Sequence, residues 1–277
     1  MSSRLGIIAG RGGLPARVAG AAEAAGRQVF LVAIEGELGR LSLPRGPDAV
    51  VNLAQVGQVL DCLRRAGCGE ICLAGPIARP DFQALRPDWR GLKLLPRVVQ
   101  AARLGDDALL RTLIDFFEQE GFAVVGAHQV ATDLLMPAGA LGARAPTVAE
   151  RADIDRGGAV VRALGTLDVG QAAVVVDGLV LAVEAAEGTD RMLARAAELK
   201  RPKAPGGVLV KAPKPGQDLR VDLPTIGPDT VAAARAAGLA GIAAAAGAAI
   251  LMDRPETAAG ADEAGLFLWG FDHGPGA

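Results

Sequence analysis

The first half of the chain alternates short apolar runs with segments whose apolar residues recur at helical spacing. The run 5–9 ends in Gly10-Arg11-Gly12-Gly13, and Leu14-Pro15 then opens a helical pattern that Gly26 closes. Further strands are predicted at 28–34, 70–74 and 122–126, and further helices at 56–66 and 108–120. Repeated strand–helix units of this kind predict a parallel sheet with helices on its faces.

The pattern changes after position 135. A stretch rich in Ala, Gly and Pro predicts a linker at 137–150, and a helix is predicted at 148–164. Apolar runs then flank Asp177-Gly178, the residue pair that a tight type I′ hairpin turn favours. The uncharged segment 236–252 is too short and too rich in Ala and Gly for a membrane span. A helix at 228–237 is expected, followed either by two buried strands or by one strand and its turn.

These patterns together predict an α/β protein of two domains. We expect a Rossmann-like, parallel-sheet, nucleotide-binding domain over 1–136 and a linker over 137–150. The remainder, 151–277, is expected to form an α/β domain with a mixed sheet that carries catalysis and lipid binding. The active site is expected in the cleft between the two domains.

Composition and charge narrow the class of protein. The formal net charge of −2 argues against a nucleic-acid binder, which normally carries a basic face. The three cysteines, Cys62, Cys68 and Cys72, lie close together without a CxxC pair, and no signal-peptide pattern precedes them. We therefore expect a cytoplasmic protein with reduced thiols.

The glycine-rich turn between the first strand and helix is a candidate nucleotide site. Gly10, Gly12 and Gly13 would let backbone N–H groups and a helix N-terminus face a phosphate, and Glu35 ends the second strand, where a ribose-binding acid would sit. Ala16 stands where a dinucleotide fingerprint has its third glycine. Nucleotide binding of some kind is favoured over nicotinamide binding, and a turn needed only for strand–helix packing is the structural alternative.

A second candidate site begins where the predicted hairpin ends. Glu184 continues an apolar strand and needs a partner if it is buried. Glu187, Thr189 and Asp190 follow, with Thr189 expected to be the N-cap of a helix at 191–198. The alternative is a capped helix start in solvent.

The next strand, 208–210, leads into a loop that carries charges of both signs. Lysine and arginine side chains can hold phosphate oxygens, and carboxylates can hold a divalent ion or orient water. Serine occurs only at positions 2, 3 and 42, and the two histidines, His128 and His273, lie far apart in sequence. A Ser–His or Cys–His mechanism is therefore disfavoured, and metal-assisted carboxylate chemistry on a phosphate remains.

Five segments carry a resemblance to a known family. They are 6–15 (GIIAGRGGLP), 75–80 (GPIARP), 167–171 (LDVGQ), 182–190 (AVEAAEGTD) and 209–227 (LVKAPKPGQDLRVDLPTIG). Over essentially its full length the chain resembles the LpxI-type UDP-2,3-diacylglucosamine pyrophosphatases. The last two segments are long and specific.

The resemblance implies a Mg²⁺-dependent enzyme of lipid A biosynthesis with an N-terminal and a C-terminal domain. It implies cleavage of UDP-2,3-diacylglucosamine by water to UMP and 2,3-diacylglucosamine 1-phosphate (lipid X). A peripheral contact with the inner membrane and a homodimer are left open. The rival hypotheses are a nicotinamide oxidoreductase and a non-catalytic nucleotide or lipid-phosphate binding module.

Residue roles follow from joining the charged segments to this resemblance. Asp222 is expected to be the main ligand of the metal or water, because it leaves an alternating strand just before Pro224. The expected catalytic residues are Asp222, Asp218, Lys211, Lys214 and Arg220, and the expected metal ligands are Asp222, Glu187 and Asp190. The residues expected to contact substrate are Gly10, Gly12, Gly13, Leu14, Glu35, Gly75, Gln171, Thr189, Gln217, Thr225 and Gly227.

Overall fold

The computed structural model describes residues 4–37, 43, 45–77, 85–200 and 206–274. The chain divides into two compact units, unit 1 over 1–132 and unit 2 over 133–277. Part of the segment 75–80 quoted above, residues 78–80, lies outside the described residues. No helix in the described ranges is long and apolar enough to span a bilayer.

Unit 1 alternates strands and helices as the sequence pattern predicts. Its elements are β1 (Arg4–Ala9), α1 (Leu14–Ala24), β2 (Val29–Ile34), β3 (Ala49–Val51), α2 (Val56–Arg65), β4 (Cys68–Ala74), α3 (Trp89–Leu104), α4 (Asp106–Gln119), β5 (Ala123–Val124) and the short α5 (Ala127–Val130). The last predicted strand is shorter than expected, and β3, α3 and α5 were not predicted.

The sheet of unit 1 is parallel throughout, with strand order β3-β2-β1-β4-β5. Strand β1 is the central strand and is buried over nearly its whole length, and β4 beside it is buried in part. Successive strands run outward from β1 on one side and from β4 on the other, so the order reverses between these two. In open α/β sheets this reversal lies beside the crevice where ligands bind at the carboxyl ends of the strands.

Unit 2 contains a mixed sheet and four helices among its described residues. Its elements are β6 (Gly139–Leu141), α6 (Val148–Gly165), β7 (Ala172–Val176), β8 (Leu179–Val183), α7 (Thr189–Leu199), β9 (Val208–Lys211), β10 (Thr225–Ile226), α8 (Pro228–Ala236), β11 (Gly241–Ala245), β12 (Ile250–Leu251), α9 (Arg254–Glu263) and β13 (Phe267–Phe271).

The six-stranded sheet of unit 2 has the order β6-β13-β11-β9-β7-β8. Strands β9, β11 and β13 are parallel, whereas β6, β7 and β8 each run antiparallel to the strand beside them. The predicted hairpin is confirmed, because β7 and β8 pair across Asp177 and Gly178. Both turn residues have positive φ, 49° and 77°, as a type I′ turn requires.

One segment departs from the expected linker. Residues 139–141 form β6, which pairs antiparallel with β13, so this stretch contributes an edge strand to the sheet of unit 2. Apolar cores on the two faces of this sheet include Val174 and Leu209 on one side and Val208 and Phe267 on the other. The α/β class with a parallel and a mixed sheet is confirmed, and the interdomain cleft stays a prediction.

Candidate functional site

Lys211 lies at the centre of a polar cluster at one edge of the unit 2 sheet. It is the last residue of β9, pairs with Ala172 at the start of β7, and is only 5% exposed. Its ammonium group donates to Thr189 Oγ1 at 3.0 Å and to the carbonyl of Thr225 at 3.1 Å. The sheet thus fixes a cation where β9 ends and β7 begins.

Glu184 supplies the buried carboxylate of this cluster. It follows β8 directly and is 7% exposed. Its Oε1 accepts a hydrogen bond from Thr189 Oγ1 at 2.6 Å, and its Oε2 accepts one from the Gln171 amide at 3.1 Å. The expectation that this buried acid needs partners is met by the hydroxyl and the amide, and the chain Glu184–Thr189–Lys211 is continuous.

Thr189 therefore does not have the role that the sequence pattern predicted. Helix α7 begins at Thr189 itself with Gly188 as its N-cap, and the structure gives this helix no side-chain cap. Because its hydroxyl donates to Glu184 and accepts from Lys211, it joins the buried acid to the buried base. The N-cap prediction was wrong because it used only local spacing, whereas two residues distant in sequence bind this side chain.

The ionisation of Lys211 is set by two opposing effects. Burial lowers the pKa of its ammonium below the ordinary lysine value, and the negative charges of Glu184, Asp190 and Asp222 act in the opposite direction. These three carboxylates are therefore close enough to share the field of one cation. The cluster carries more negative than positive charge, which makes its edge of the sheet suited to a further cation.

The loop after β9 holds Asp222 beside this cluster through Gln217. Gln217 is buried, its Oε1 accepts from the Lys214 amide at 2.9 Å, and its Nε2 donates to Asp222 Oδ2 at 2.6 Å. Asp222 lies in a non-repetitive segment two residues ahead of Pro224. The expectation that it leaves an alternating strand was wrong, because turns rather than sheet pairing shape residues 215–221.

The other charged residues of the loop are engaged in ion pairs within the protein. Lys214 donates to Asp168, whose backbone φ of 53° is unusual for a residue other than glycine. Arg220 donates to both carboxylate oxygens of Asp218, with distances from 2.7 to 3.2 Å. Both cations and Asp218 therefore have partners that a phosphate or a metal ion would have to share.

The three expected metal ligands do not converge on one position. Glu187 pairs with Arg195 at 2.6 Å, and its pKa is lowered by a backbone hydrogen bond and by that guanidinium. Asp190 is exposed in the first turn of α7, and Asp222 is half-buried. In the described part of the chain, no three His, Cys, Asp or Glu side chains form a metal-binding group. Mg²⁺ commonly uses one or two carboxylates together with water and substrate oxygens, so Asp190 and Asp222 still fit it.

The glycine-rich turn of unit 1 lies at the reversal of strand order. A Cβ on Gly10 would overlap the carbonyl of Gly75, and the amide of Gly10 donates to Ala74 O at 2.8 Å. Gly12 has φ of 80° with open space around it, and Gly13 is the N-cap of α1. Packing thus explains Gly10 and Gly75, whereas Gly12 faces space where a ligand can lie.

Leu14 and Glu35 are the other residues of unit 1 that were expected to contact substrate near this turn. Leu14 is the first residue of α1, so its amide is one of the unpaired helix N–H groups. Glu35 is exposed and accepts from Asn52 Nδ2 at 2.9 Å. Arg11 in the turn forms an ion pair with the buried Glu37. The sequence reasoning overlooked this pair, whose two charges lie 26 positions apart.

Two further residues of unit 2 were missed as site residues. Glu184 was recognised only as a buried acid, and Asp168 only as part of a motif, yet one anchors Lys211 through Thr189 and the other binds Lys214. A signal existed for Glu184, since it interrupts an apolar strand. Among the predicted substrate contacts, Thr225 begins β10 and Gly227 is the N-cap of α8.

Comparison with known proteins covers both units. The family model for the LpxI N-terminal domain matches residues 4–134, and that for the LpxI C-terminal domain matches residues 137–269. The chain is 50% identical over 274 residues to the UDP-2,3-diacylglucosamine pyrophosphatase LpxI of Caulobacter vibrioides, covering 97% of this chain and 98% of the relative. This chain belongs to the LpxI family.

Proposed function

We propose that this protein hydrolyses the pyrophosphate bond of UDP-2,3-diacylglucosamine to UMP and 2,3-diacylglucosamine 1-phosphate, a step of lipid A biosynthesis. The relative of the same family, 50% identical over nearly the whole chain, bears the name of this activity. The structural observation that carries the proposal is the buried Lys211, which lies at a sheet edge among three carboxylates. An anionic substrate and a divalent cation are the ligands that such a mixed set of charges suits.

The reaction adds one water across the P–O–P linkage. An oxygen–phosphorus bond forms to the water, the bridging P–O bond breaks, and the two products share the protons of the water. We assign the orientation of this water to Asp222, because Gln217 fixes its carboxylate by a 2.6 Å hydrogen bond. Positioning by a fixed acceptor lowers the entropy that the water would otherwise lose in the transition state.

We assign to Lys211 the role of neutralising the negative charge of the pyrophosphate. Its amine is held by Thr189 and by the Thr225 carbonyl, so it needs little reorganisation as charge develops. Lys214 and Arg220 are assigned supporting roles, in which a phosphate oxygen shares them with Asp168 and Asp218. Gln171, Gln217 and Gly227 are proposed to shape the same edge.

Mg²⁺ is the proposed cofactor, and Asp190 and Asp222 are the residues that would hold it. When bound, the ion would supply charge neutralisation at the phosphate oxygens. Glu187 is a weaker candidate, because Arg195 binds its carboxylate. For unit 1, we propose that the turn at Gly10, Gly12 and Gly13 accepts the uridine nucleotide end.

The test is hydrolysis of UDP-2,3-diacylglucosamine by the purified full-length protein, dispersed in detergent. We expect equimolar UMP and diacylglucosamine 1-phosphate by mass spectrometry. Chelation should abolish both products, and Mg²⁺ should restore them. Absence of UMP would contradict the proposed reaction. UMP release at the same rate with and without the chelator would contradict only the proposed requirement for Mg²⁺.

A second arm follows which product carries oxygen from ¹⁸O-labelled water. Because water attacks one phosphorus only, the label should appear in one product and not the other. Label in both products would contradict direct hydrolysis at a single phosphorus.

A further inference from the structure

Helix α3 presents one continuous exposed face that the proposed chemistry does not use. All of its exposed residues fall on a stripe about 140° wide at 100° per residue. We call this stripe the α3 face. Its members are Trp89, Leu92, Lys93, Pro96, Arg97, Gln100, Arg103 and Leu104.

The α3 face exposes more apolar surface than a water-facing helix needs. Trp89 is 62% exposed, Leu92 63% and Leu104 72%, more than the other exposed large apolar side chains of unit 1, Val50 at 47% and Ile77 at 36%. These three side chains are spread over the whole helix, which is about 24 Å long at 1.5 Å per residue. Exposed apolar groups that share one helix face and are bordered by polar residues are a candidate interaction surface.

The same face is positively charged. Helix α3 contains Arg90, Lys93, Arg97 and Arg103 and no acidic residue, although the whole chain has a formal charge of −2. The acid just before the helix, Asp88, is engaged as its N-cap and accepts from the amides of Gly57 and Gly91. Helix α3 is therefore positively charged, whereas the chain as a whole has a small net negative charge.

Two acids near helix α3 are already engaged in ion pairs. Glu120 pairs with Arg64 at 2.7 Å and with Arg90 at 3.1 Å, and Asp107 pairs with Arg111. Arg97 lies 3.4 Å from the uncharged Gln119, and Lys93 lies 4.8 Å from the ring centre of Trp89. Lys93, Arg97 and Arg103 thus carry the charge that the α3 face presents to solvent.

We propose that the α3 face is a docking surface for a bilayer that contains anionic phospholipids. An amphipathic helix with Trp and Leu between basic side chains lies in the plane of the headgroups, where its rings and chains reach the acyl boundary and its cations meet phosphates. Protein–protein interfaces are depleted of lysine but enriched in tryptophan and arginine, so a protein partner is the alternative that the vesicle test must exclude. Docking brings the enzyme to the layer that holds a diacylated substrate.

The inference uses the proposed function only to explain why docking is useful. Docking itself depends only on the exposed residues of helix α3 and on their charge. Vesicle binding and UMP release can therefore fail separately, and each failure is visible in its own assay.

The first test is co-sedimentation of the full-length protein with vesicles of phosphatidylcholine and phosphatidylglycerol, in which roughly three lipids in ten carry the anionic headgroup that a basic surface needs. We expect binding at low salt, weaker binding as salt rises, and little binding to vesicles of phosphatidylcholine alone. Equal binding to both compositions, or none to either, overturns the proposal; none to either would favour a protein partner.

The second test reverses the charge of the α3 face with Lys93→Glu, Arg97→Glu and Arg103→Glu together. The partition coefficient should fall on the order of a hundredfold. The matched control, Arg156→Glu, Arg235→Glu and Arg254→Glu, makes the same change of net charge at exposed positions of unit 2 and should retain most of the binding. An equal loss of vesicle binding in both variants would show that only the net charge of the protein matters, and it would overturn docking through the α3 face.

Activity separates docking from folding and from chemistry. The α3 triple variant should release UMP from detergent-dispersed substrate at the wild-type rate, and from substrate in anionic vesicles at least about tenfold more slowly. A parallel loss in detergent would show a folding defect. In that case the fluorescence of Trp89 tests docking without the triple variant. It is measured in the Trp269→Phe protein, because the chain has two tryptophans and this change leaves Trp89 as the only one. A blue shift on vesicles and quenching by brominated lipid support docking, and their absence overturns it.

Discussion

The two candidate sites of this protein are built from different chemical groups. At the turn of unit 1, backbone amides and glycines form the surface, and the nearest charges are paired with each other as Arg11–Glu37. At the sheet edge of unit 2, a buried lysine and three carboxylates form the surface. Backbone groups can bind a phosphate but cannot act as general acids or bases at neutral pH. We therefore propose that unit 1 serves binding and unit 2 serves the chemistry.

Apart from the change at Asp222 that tests the central claim, the largest expected effect comes from removing the buried cation with Lys211→Met. The phosphate charge would then face Glu184, Asp190 and Asp222 without an opposing amine, so we expect kcat to fall by about 10²- to 10³-fold. The control is Lys200→Met, whose amine donates to the carbonyl of Gly238 outside the cluster. A similar fall in both variants would contradict the role of Lys211.

A second prediction contrasts two glycines of the same turn. Gly10→Ala forces a Cβ against the Gly75 carbonyl and should lower the free energy of unfolding by about 3 kcal/mol. Gly12→Ala meets open space and carries only the strain of a left-handed backbone, about 1 kcal/mol. Urea unfolding of both variants checks the order.

Binding should follow the opposite order to stability. Gly12→Ala narrows the space that a nucleotide would occupy, so its KM should rise more than that of Gly10→Ala. If both alanines leave KM unchanged, unit 1 does not bind the nucleotide through this turn.

The third prediction concerns alkaline pH, where the buried ionisable groups of the two units act in opposite directions. Burial raises the pKa of Cys68 to about 11 and that of Cys72 to about 12. The unfolded chain loses these protons near pH 8.5, so the free energy of unfolding should fall with pH from about 8.5 to 11, by about 1.4 kcal/mol per pH unit for each thiol. Replacing both cysteines by alanine should flatten this slope.

The buried Lys211 should change the free energy of unfolding with pH in the direction opposite to the two thiols. Its pKa is lowered by burial, so as pH rises the folded protein loses this proton before the unfolded chain does, and stability rises up to the ordinary lysine pKa. Lys211→Met should therefore steepen the alkaline fall that the cysteine variant flattens. Urea titrations from pH 8 to 11 measure both slopes, and changes of equal sign would contradict the assignment.

The smallest effect is expected at Glu187. Its carboxylate is bound by Arg195, so Glu187→Gln should change kcat by less than about twofold at saturating Mg²⁺. Asp190→Asn should raise the Mg²⁺ concentration needed for half-maximal activity. If Glu187→Gln raises this Mg²⁺ concentration and Asp190→Asn does not, the Glu187 carboxylate binds the ion rather than Arg195, which contradicts the prediction.

Periodicity predicted the fold well because strand alternation and helix spacing follow from burial. The β7–β8 hairpin was predicted from Asp177-Gly178, since two residues of positive φ leave few alternatives. Helix α3 was not predicted, because Gly91 and Pro96 weaken its helical signal while the Asp88 cap and packing against α4 stabilise it.

The sites were predicted less completely, because their contacts join residues far apart in sequence. Spacing indicated that Lys211 and Asp222 belong to one loop, and it could not indicate that Gln217 binds Asp222 or that Thr189 joins Glu184 to Lys211. The N-cap assigned to Thr189 failed for the same reason. Local rules describe backbone needs, whereas the chemistry here depends on the sheet that brings three segments to one edge.

The central claim is that Asp222, held by Gln217, performs the hydrolysis at the edge of unit 2. Its most direct test is UMP release from UDP-2,3-diacylglucosamine by Asp222→Asn, with Asp229→Asn, an exposed acid of the first turn of α8, as the matched control. We predict a fall in kcat of about 10³-fold for Asp222→Asn with KM nearly unchanged, and wild-type rates for the control. A kcat for Asp222→Asn within about threefold of wild type would contradict the account.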